Sequence, residues 1–162
     1  MPAPSGLSGA ALTAQALTGV ASPRAARPRI GRRGLPMLSA IPLFAGLSKR
    51  HLRHVADLAE EVRFRDGTVM VRAGTPGRAL YVIAEGRARV ARGVVPIGRA
   101  IARLGPGDFF GEIALLDGGP RSASVVADGP VVAIRLMRGA FLKLMRSEPA
   151  IAMAVVQTLA QR

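Results

Sequence analysis

The spacing of apolar residues predicts helices at both ends of the chain and strands in the middle. Ser48 is a residue type that caps helix N-termini, and after it apolar residues recur every three or four positions. Such spacing predicts one helix with a single buried face. The apolar positions are Leu52, Val55, Ala59 and Val62. We therefore expect an N-terminal helical part over residues 38–62.

Between residues 62 and 138, short runs of β-forming residues alternate with turns that contain glycine. Strands this short, between turns this frequent, are typical of a β-roll or jelly-roll barrel. We predict seven strands, at 62–65, 68–72, 79–84, 88–92, 97–104, 122–127 and 131–137.

Helical spacing returns over residues 139–162, where we predict two helices. Phe141, Leu144 and Met145 form the short apolar face of the first. Pro149 suits the first turn of the second, whose stripe consists of Ile151, Val155, Leu159 and Arg162. The predicted fold class is mainly β with flanking helices, a β-roll barrel with an N-terminal helix, a short helix within the strand region and two C-terminal helices.

Residues 1–36 differ in composition from the rest of the chain. They are rich in Ala, Gly, Ser, Pro and Thr, and contain five Arg and no acidic residue. Such a segment buries too little apolar surface to offset its ordering entropy. We expect a disordered basic tail followed by one domain over 37–162, and Met37 is a candidate for the true start of the protein.

Composition excludes several classes of function. The chain has 162 residues, 49% of them apolar, which suits one domain with a real core. The absence of cysteine excludes a disulfide scaffold, Cys-ligated zinc and a cysteine nucleophile. No apolar run approaches the roughly 20 residues of a membrane span, so we expect a cytoplasmic protein. The formal charge of +13 indicates either an anionic partner or solubility combined with codon bias.

A metal site is not expected. The only histidines are His51 and His54, which with Asp57 lie three residues apart along one helix. This spacing could face one metal, but a solvated polar face is the simpler interpretation. The predicted barrel strands contain no histidine, which excludes a cupin-type metalloenzyme.

The segment from Phe109 to Val125 interrupts the strands and carries the candidate chemistry. Gly111 allows a close backbone approach, and the residues after it are long enough for one short helix, whose N-terminus favours anions. Arg121 follows Glu112 by nine residues and could hold a phosphate beside that helix end. A phosphate would repel Glu112, but a sugar hydroxyl would donate to it. A ligand with both groups fits, although the two side chains could also form a structural ion pair.

This segment resembles the phosphate-binding cassette of the cyclic nucleotide-binding domain family, which includes catabolite-activator-type regulators, protein kinase A regulatory subunits and cyclic-nucleotide-gated channels. The family cassette reads approximately F-G-E-[LI]-A-L, a turn, then P-R-[STA]-A-[ST]-V. This chain has F-G-E-I-A-L at 110–115 and P-R-S-A-S-V at 120–125. The stretches G-T-P-G-R-A-L-Y-V-I-A-E-G at 74–86 and I-P-L-F at 41–44 also match, so the resemblance covers residues 38–162.

The resemblance implies roles for individual residues. Arg121 would pair with the cyclic phosphate, and Glu112 would bind the ribose 2′-hydroxyl. The cradle would be completed by Gly111, Ile113, Ala114 and Ser122. Leu115 and Leu116 would repack as the ligand draws the helix inward, the last helix would close over the base, and Arg162 could cap the purine.

The implied function is a non-enzymatic sensor of cAMP, with cGMP as a second candidate, whose C-terminal helix changes position on binding. No cofactor or metal is implied, and Glu112, as a general base, has no nucleophile partner. A protein effector would read the change, and the last helix could also pair two copies. The alternatives are a fragment of a transcription regulator or ion channel, or a basic protein that binds DNA non-specifically. No recognition helix follows the sensor, so specific DNA recognition is not expected.

Overall fold

A computed structural model of the chain describes residues 29–95 and 98–161. Five α-helices are found there: α1 (Leu35–Ala40), α2 (Lys49–Leu58), α3 (Glu112–Asp117), α4 (Arg138–Ser147) and α5 (Pro149–Ala160). Two 3-10 helices cover Arg32–Gly34 and Pro42–Phe44. The strands are β1 (Glu60–Phe64), β2 (Val69–Val71), β3 (Ala79–Arg92), β4 (Arg99–Leu104), β5 (Phe109–Phe110) and β6 (Ser124–Met137). None of the helices in these ranges is long and apolar enough to cross a membrane.

The strands form one antiparallel sheet in the order β1-β6-β3-β4, with β2 also paired to β6 and β5 to β3. The centre of the sheet is the pair of long strands β3 and β6, which run from Ala79 opposite Met137 to Ala91 opposite Ser124. The predicted fold class is confirmed: the molecule is mainly β with flanking helices.

The prediction of seven short strands is wrong at two places. The expected breaks at Glu85-Gly86 and at 128–130 lie inside β3 and β6. At Gly86, where φ is +86°, the register with β6 shifts, and a Cβ there would collide with the carbonyl oxygen of Pro130. Glycine therefore marks a bulge in a continuous strand here, rather than a turn between two strands.

The helix that begins after Ser48, α2, is shorter than its apolar spacing predicted. α2 ends at Leu58, and Val62 lies on β1 opposite Ala133. Within β1 the side chains of Val62 and Phe64 are buried and that of Arg63 is exposed. A buried residue four positions after a helix can satisfy strand alternation as well as helical spacing, so the two patterns overlapped at Val62.

The predicted boundary of the N-terminal tail needs correction. The amide nitrogen of Ile30 donates to the carbonyl oxygen of Ala59 at 3.1 Å, and Arg29 forms an isolated bridge with Glu60. The first 3-10 helix begins at Arg32, and Gly34 is buried. Residues 29–36 therefore pack on the domain, whereas residues 1–28 lie outside the described part of the chain.

Two large apolar clusters form the core. One fills the inside of the roll and includes Phe64, Ile83 and Phe110. The other joins the sheet to the flanking helices and includes Leu115 of α3 with Phe141 and Leu144 of α4. The same cluster contains Ile151 and Val155, as the C-terminal stripe predicted. Helix α3 is thereby packed between the roll and the C-terminal helices.

Candidate functional site

The backbone leaves the sheet at Gly111, between β5 and α3. Gly111 has a φ of +93°, in the left-handed region that favours glycine. A Cβ at this position would collide with Nη1 of Arg121 and would lie 2.9 Å from the carbonyl oxygen of Ala79. Glycine is therefore required here both for the turn into α3 and for the space that the Arg121 side chain occupies.

Arg121 is held by carbonyl oxygens on two sides. Its Nη1 donates to the carbonyl oxygen of Gly111 at 3.0 Å, and its Nη2 donates to that of Ala79 at 2.7 Å. Its backbone is fixed by two hydrogen bonds of 2.8 Å, from Gly74 N to Arg121 O and from Arg121 N to Thr75 O. A guanidinium has five N–H donors, so this one has donors beyond the two carbonyl contacts.

The charge of Arg121 is largely withdrawn from water. Arg121 is only 7% exposed to solvent. Burial lowers the pKa of Arg121, and the negative charges of Tyr81, when ionised, and Glu112 oppose that shift. A buried cation is costly unless it is paired, which makes Arg121 a candidate contact for an anion.

Glu112 brings a carboxylate to the same place. It is the first residue of α3 and is 1% exposed. An acidic residue in the first turn interacts favourably with the helix dipole. A buried carboxylate beside a buried guanidinium gives the site one strong acceptor and one strong donor.

A cavity of about 100 Å³ lies between the α3 N-terminus, Arg121 and the inner face of the roll. The structure brings together six of the predicted site residues as its lining: Gly111, Glu112, Ile113, Ala114, Arg121 and Ser122. The seventh, Arg162, lies outside the described residues. Sequence reasoning missed the apolar lining by Val71, Val90 and Val125. Val90 alternates with Arg89 in the sequence, a pattern typical of a strand with one buried face, but the pattern does not show what the valine faces.

The sequence model of a protein family, the cyclic nucleotide-binding domain, matches residues 61–148 of this chain. These residues include α3 and every described residue of the predicted site. The chain belongs to the cyclic nucleotide-binding domain family. This confirms the family resemblance seen in the cassette sequence, and it gives the cavity at α3 a chemical context.

Proteins similar to this chain include regulators. A cAMP-dependent protein kinase regulatory subunit from Dictyostelium discoideum is 37% identical over 111 residues, which cover 66% of this chain and 34% of that protein. The regulatory domain of Toxoplasma gondii protein kinase A, solved with cAMP, has a TM-score of 0.70 at 26% identity, covering 80% of this chain and 49% of that one. The catabolite activator protein of Thermus thermophilus has a TM-score of 0.65 at 36% identity, covering 75% and 57%. The chain spans about a third of the length of the curated relatives it matches.

In this cyclic nucleotide-binding domain, α3 is connected directly to the C-terminal helices. Nε of Arg138, the first residue of α4, donates to the carbonyl oxygen of Leu115 at 3.3 Å. The Leu115 side chain is fully buried against the helical cluster, whereas Leu116 is 43% exposed. Of the two leucines expected to repack when a ligand binds, Leu115 belongs to the helical core cluster and Leu116 does not.

Of the two histidines, His51 lies at a contact between helices, whereas His54 is exposed. Nε2 of His51 lies 2.8 Å from Oε1 of Glu148, at the junction of α4 and α5. Its Nδ1 lies 2.9 Å from the Oγ of Ser48, which also accepts from the His51 backbone nitrogen and caps α2. Among residues 29–95 and 98–161, no group of three or more His, Cys, Asp or Glu side chains is placed to hold a metal ion.

Proposed function

We propose that this domain binds cAMP in the cavity at α3 and reports the binding through its C-terminal helices. The observation that carries the proposal is the pairing of a buried guanidinium, Arg121, with a buried carboxylate, Glu112, at one cavity. A cyclic nucleotide presents an anionic phosphate fused to a ribose with one free hydroxyl. That ligand offers an acceptor to Arg121 and a donor to Glu112.

The phosphate is assigned to Arg121. Its guanidinium is oriented by two carbonyl oxygens, so little side-chain entropy is lost when an anion binds. Backbone N–H groups at the start of α3, near Gly111, Ile113 and Ala114, supply further donors because the first turn of a helix leaves its amides unpaired. Ser122, exposed at the cavity, adds a hydroxyl.

The ribose 2′-hydroxyl is assigned to Glu112. An ionised carboxylate accepts hydrogen bonds and donates none. Glu112 therefore repels a phosphate oxygen and favours a hydroxyl. The two charged residues thus bind two different groups of one ligand, the phosphate and the ribose hydroxyl. The purine would extend beyond the small cavity toward solvent and the C-terminal helices, where Arg162 is the proposed cap.

We propose cAMP rather than cGMP as the ligand because two relatives are associated with cAMP. The Dictyostelium discoideum protein is described as cAMP-dependent, and the Toxoplasma gondii domain was solved with cAMP. Ser122 is compatible with either purine. The two nucleotides share the phosphate and the ribose, so the contacts of Arg121 and Glu112 do not distinguish them.

Transmission to the C-terminal helices is assigned to α3. The helix is bound to α4 at the Leu115 carbonyl through Arg138, and its Leu115 side chain lies in the same buried cluster as Phe141 and Leu144. A ligand that pulls the α3 N-terminus toward Arg121 would move this contact and with it α4 and α5. A protein effector would then recognise the new helix position. The ligand can shift the equilibrium between the two helix positions by no more than the difference in its binding free energy for the two states.

A ligand panel tests the binding proposal. Calorimetric titration of the full chain with cAMP, cGMP and adenosine is expected to give saturable binding of cAMP, weaker binding of cGMP and none of adenosine, which lacks the phosphate. Equal binding of cAMP and adenosine would show that Arg121 does not receive a phosphate, and the absence of binding to a folded chain would overturn the proposal.

The helix movement is measurable because the chain contains no cysteine. Two cysteines introduced by Asp66→Cys and Thr158→Cys can be labelled without interference. We expect the distance between the labels to change with cAMP and to stay unchanged with adenosine. Tight cAMP binding with an unchanged label distance would contradict the proposed transmission and leave the binding proposal intact.

A further inference from the structure

A groove of about 410 Å³ lies between α1 and α2. Its lining is mostly apolar and comes from both helices: Leu35, Pro36, Ser39, Lys49, Leu52 and Arg53. Leu52 is a buried member of the helical core cluster, and Leu35 is half-buried and packs against that cluster. The groove shares no residue with the lining of the cavity at α3, so it is a separate feature of the surface.

Two basic residues of α2 line the groove. Lys49 and Arg53 are four positions apart on the helix, so their side chains are neighbours on one face. Both residues are exposed. Neither forms an ion pair with an acid in the described part of the chain, including Asp57 one helical turn further on. The groove therefore combines an apolar lining with two positive charges, and none of its lining residues is acidic.

The segment that forms the groove carries charge of one sign only. No Asp or Glu precedes Asp57 in the sequence. Within residues 29–56, the exposed basic residues outside the groove lining include Arg32, Arg33 and Arg50. The positive charge of the groove is therefore reinforced by its own segment, and a negatively charged partner is the one that this surface attracts.

From these observations we infer that the α1–α2 groove binds an acidic amphipathic segment of a partner protein. Apolar side chains of that segment would fill the groove over Leu35 and Leu52, and its carboxylates would pair with Lys49 and Arg53. Apolar grooves recognise amphipathic segments in this way, and complementary charge adds specificity and faster association. The inference is independent of the nucleotide site, because no residue that lines the cavity at α3 takes part in it.

Charge disfavours this chain itself as the occupant. Residues 1–28 contain Arg24 and Arg27 and no acidic residue, and the whole chain has a formal net charge of +13. The N-terminal segment or a second copy would bring positive charge to a positive groove, and like charges across an interface oppose association. A partner of different sequence, with Asp or Glu beside its apolar residues, brings the complementary charge.

The shape of the groove disfavours other anionic partners. Apolar side chains that enter a membrane surface project from the protein, whereas Leu35 and Leu52 are recessed between two helices. Nucleic acids are bound through their phosphates and through bases stacked on aromatic side chains, and none of the residues that line the groove is aromatic. A small ligand needs a site that encloses most of its surface, but Pro36 and Ser39 leave this groove open to solvent.

Selection from a displayed library of random peptides tests the inference on the full chain. Peptides of about 15 residues, long enough for an amphipathic helix, are selected on the immobilised protein, and the enriched sequences are measured by fluorescence anisotropy. We expect sequences that combine Asp or Glu with large apolar residues, and binding that salt weakens. Enrichment of basic or uncharged sequences, or of none, would overturn the inference.

Two double variants separate the groove from the total charge of the protein. Lys49→Gln/Arg53→Gln should weaken binding of the selected peptides about tenfold, the scale of two exposed ion pairs. Arg65→Gln/Arg99→Gln removes the same charge from two exposed positions outside the groove, and it should retain binding within about twofold. Equal losses in the two variants would assign the binding to total charge and contradict the inference.

Two tryptophan variants test the shape of the groove. Ser39 is exposed and lines the groove, so Ser39→Trp should fill it and weaken peptide binding at least about tenfold. Ala40→Trp adds the same side chain at the next exposed position, which does not line the groove, and should bind as the wild type does.

Full peptide binding by Ser39→Trp would overturn the inference. So would tighter binding of a DNA duplex, or of phosphatidylserine vesicles, with the same dependence on Ser39 and Lys49. Unchanged melting temperatures show that each variant is folded. A wild-type chain that bound the peptides but not cAMP would overturn the nucleotide proposal alone, because the groove and the cavity share no residue.

Discussion

Nη1 of Arg121 donates to the carbonyl oxygen of Gly111 at 3.0 Å, so the residue proposed to hold the phosphate is fixed by the residue that immediately precedes α3 at the same site. Among the glycines in the described part of the chain, Gly111 is the one whose added Cβ would occupy the space of that guanidinium. The orientation of Arg121 and the direction of α3 therefore depend on each other.

The first prediction concerns this dependence. Gly111→Ala should destabilise the fold by about 1–3 kcal/mol, the cost of a non-glycine residue at positive φ. It should also lower cAMP affinity at least about tenfold, because the new Cβ displaces the Arg121 guanidinium. Thermal unfolding and calorimetric titration measure the two effects separately.

Gly118→Ala is the control for that variant. Gly118 ends the same helix with φ +73°, and its Cβ would meet no atom within 4 Å. It should show a similar loss of stability with nearly unchanged cAMP affinity. If both alanines weakened binding equally, the space around Arg121 would not be the reason.

The second prediction separates the two charged residues of the site. Glu112→Gln keeps the shape of the side chain but replaces a charged acceptor with a neutral one, which should cost about 1 kcal/mol in cAMP affinity. Binding of 2′-deoxy-cAMP, which lacks the hydroxyl, should be weak in both proteins and differ little between them. A wild-type protein that bound the deoxy ligand as tightly as cAMP would remove Glu112 from ribose recognition.

The third prediction concerns the two leucines of α3. Leu115 is fully buried among the helical core residues, so Leu115→Ala should destabilise the fold by about 2–5 kcal/mol. Leu116 is 43% exposed, and Leu116→Ala should change stability by no more than about 0.5 kcal/mol. Denaturant unfolding gives both values, and similar losses would mean that α3 is packed differently against α4.

The fourth prediction places the N-terminal boundary of the domain. Removing residues 1–28 should leave stability and cAMP affinity unchanged. Removing residues 1–36 should cost about 2 kcal/mol, because the contact of Ile30 with Ala59 and the packing of Leu35 on the helical core are lost. Equal stability of the two shortened chains would move the boundary back to residue 36.

The family, and the meeting of Gly111, Glu112 and Arg121 at one cavity, could be predicted because their signal is local. Gly111, Glu112 and Arg121 lie within one short segment, and each residue type is demanded by the backbone or by charge. The apolar spacing also located the buried faces of α4 and α5 at Phe141, Leu144 and Val155. Short-range patterns report on local geometry, and these features are local.

The features that escaped prediction depend on contacts between distant parts of the chain. Gly86 reads as a turn in sequence, and only the close approach of Pro130 makes it a bulge within β3. The contact between His51 and Glu148 requires knowing how α2 packs on the α4–α5 junction. Composition suggested that residues 1–36 would be disordered, but it carries no sign that the backbone of Ile30 pairs with that of Ala59.

The most direct test of the nucleotide site is calorimetric titration of cAMP into the wild-type chain, Arg121→Ala and Arg65→Ala. Arg65 is exposed and lies outside the cavity, so its variant carries the same substitution without touching the site. We predict that Arg121→Ala loses at least about 2 kcal/mol of binding free energy, the scale of a charge-assisted contact with a phosphate, and that Arg65→Ala binds as the wild type does. Unchanged cAMP affinity in a folded Arg121→Ala protein would contradict the assignment of Arg121 to the phosphate.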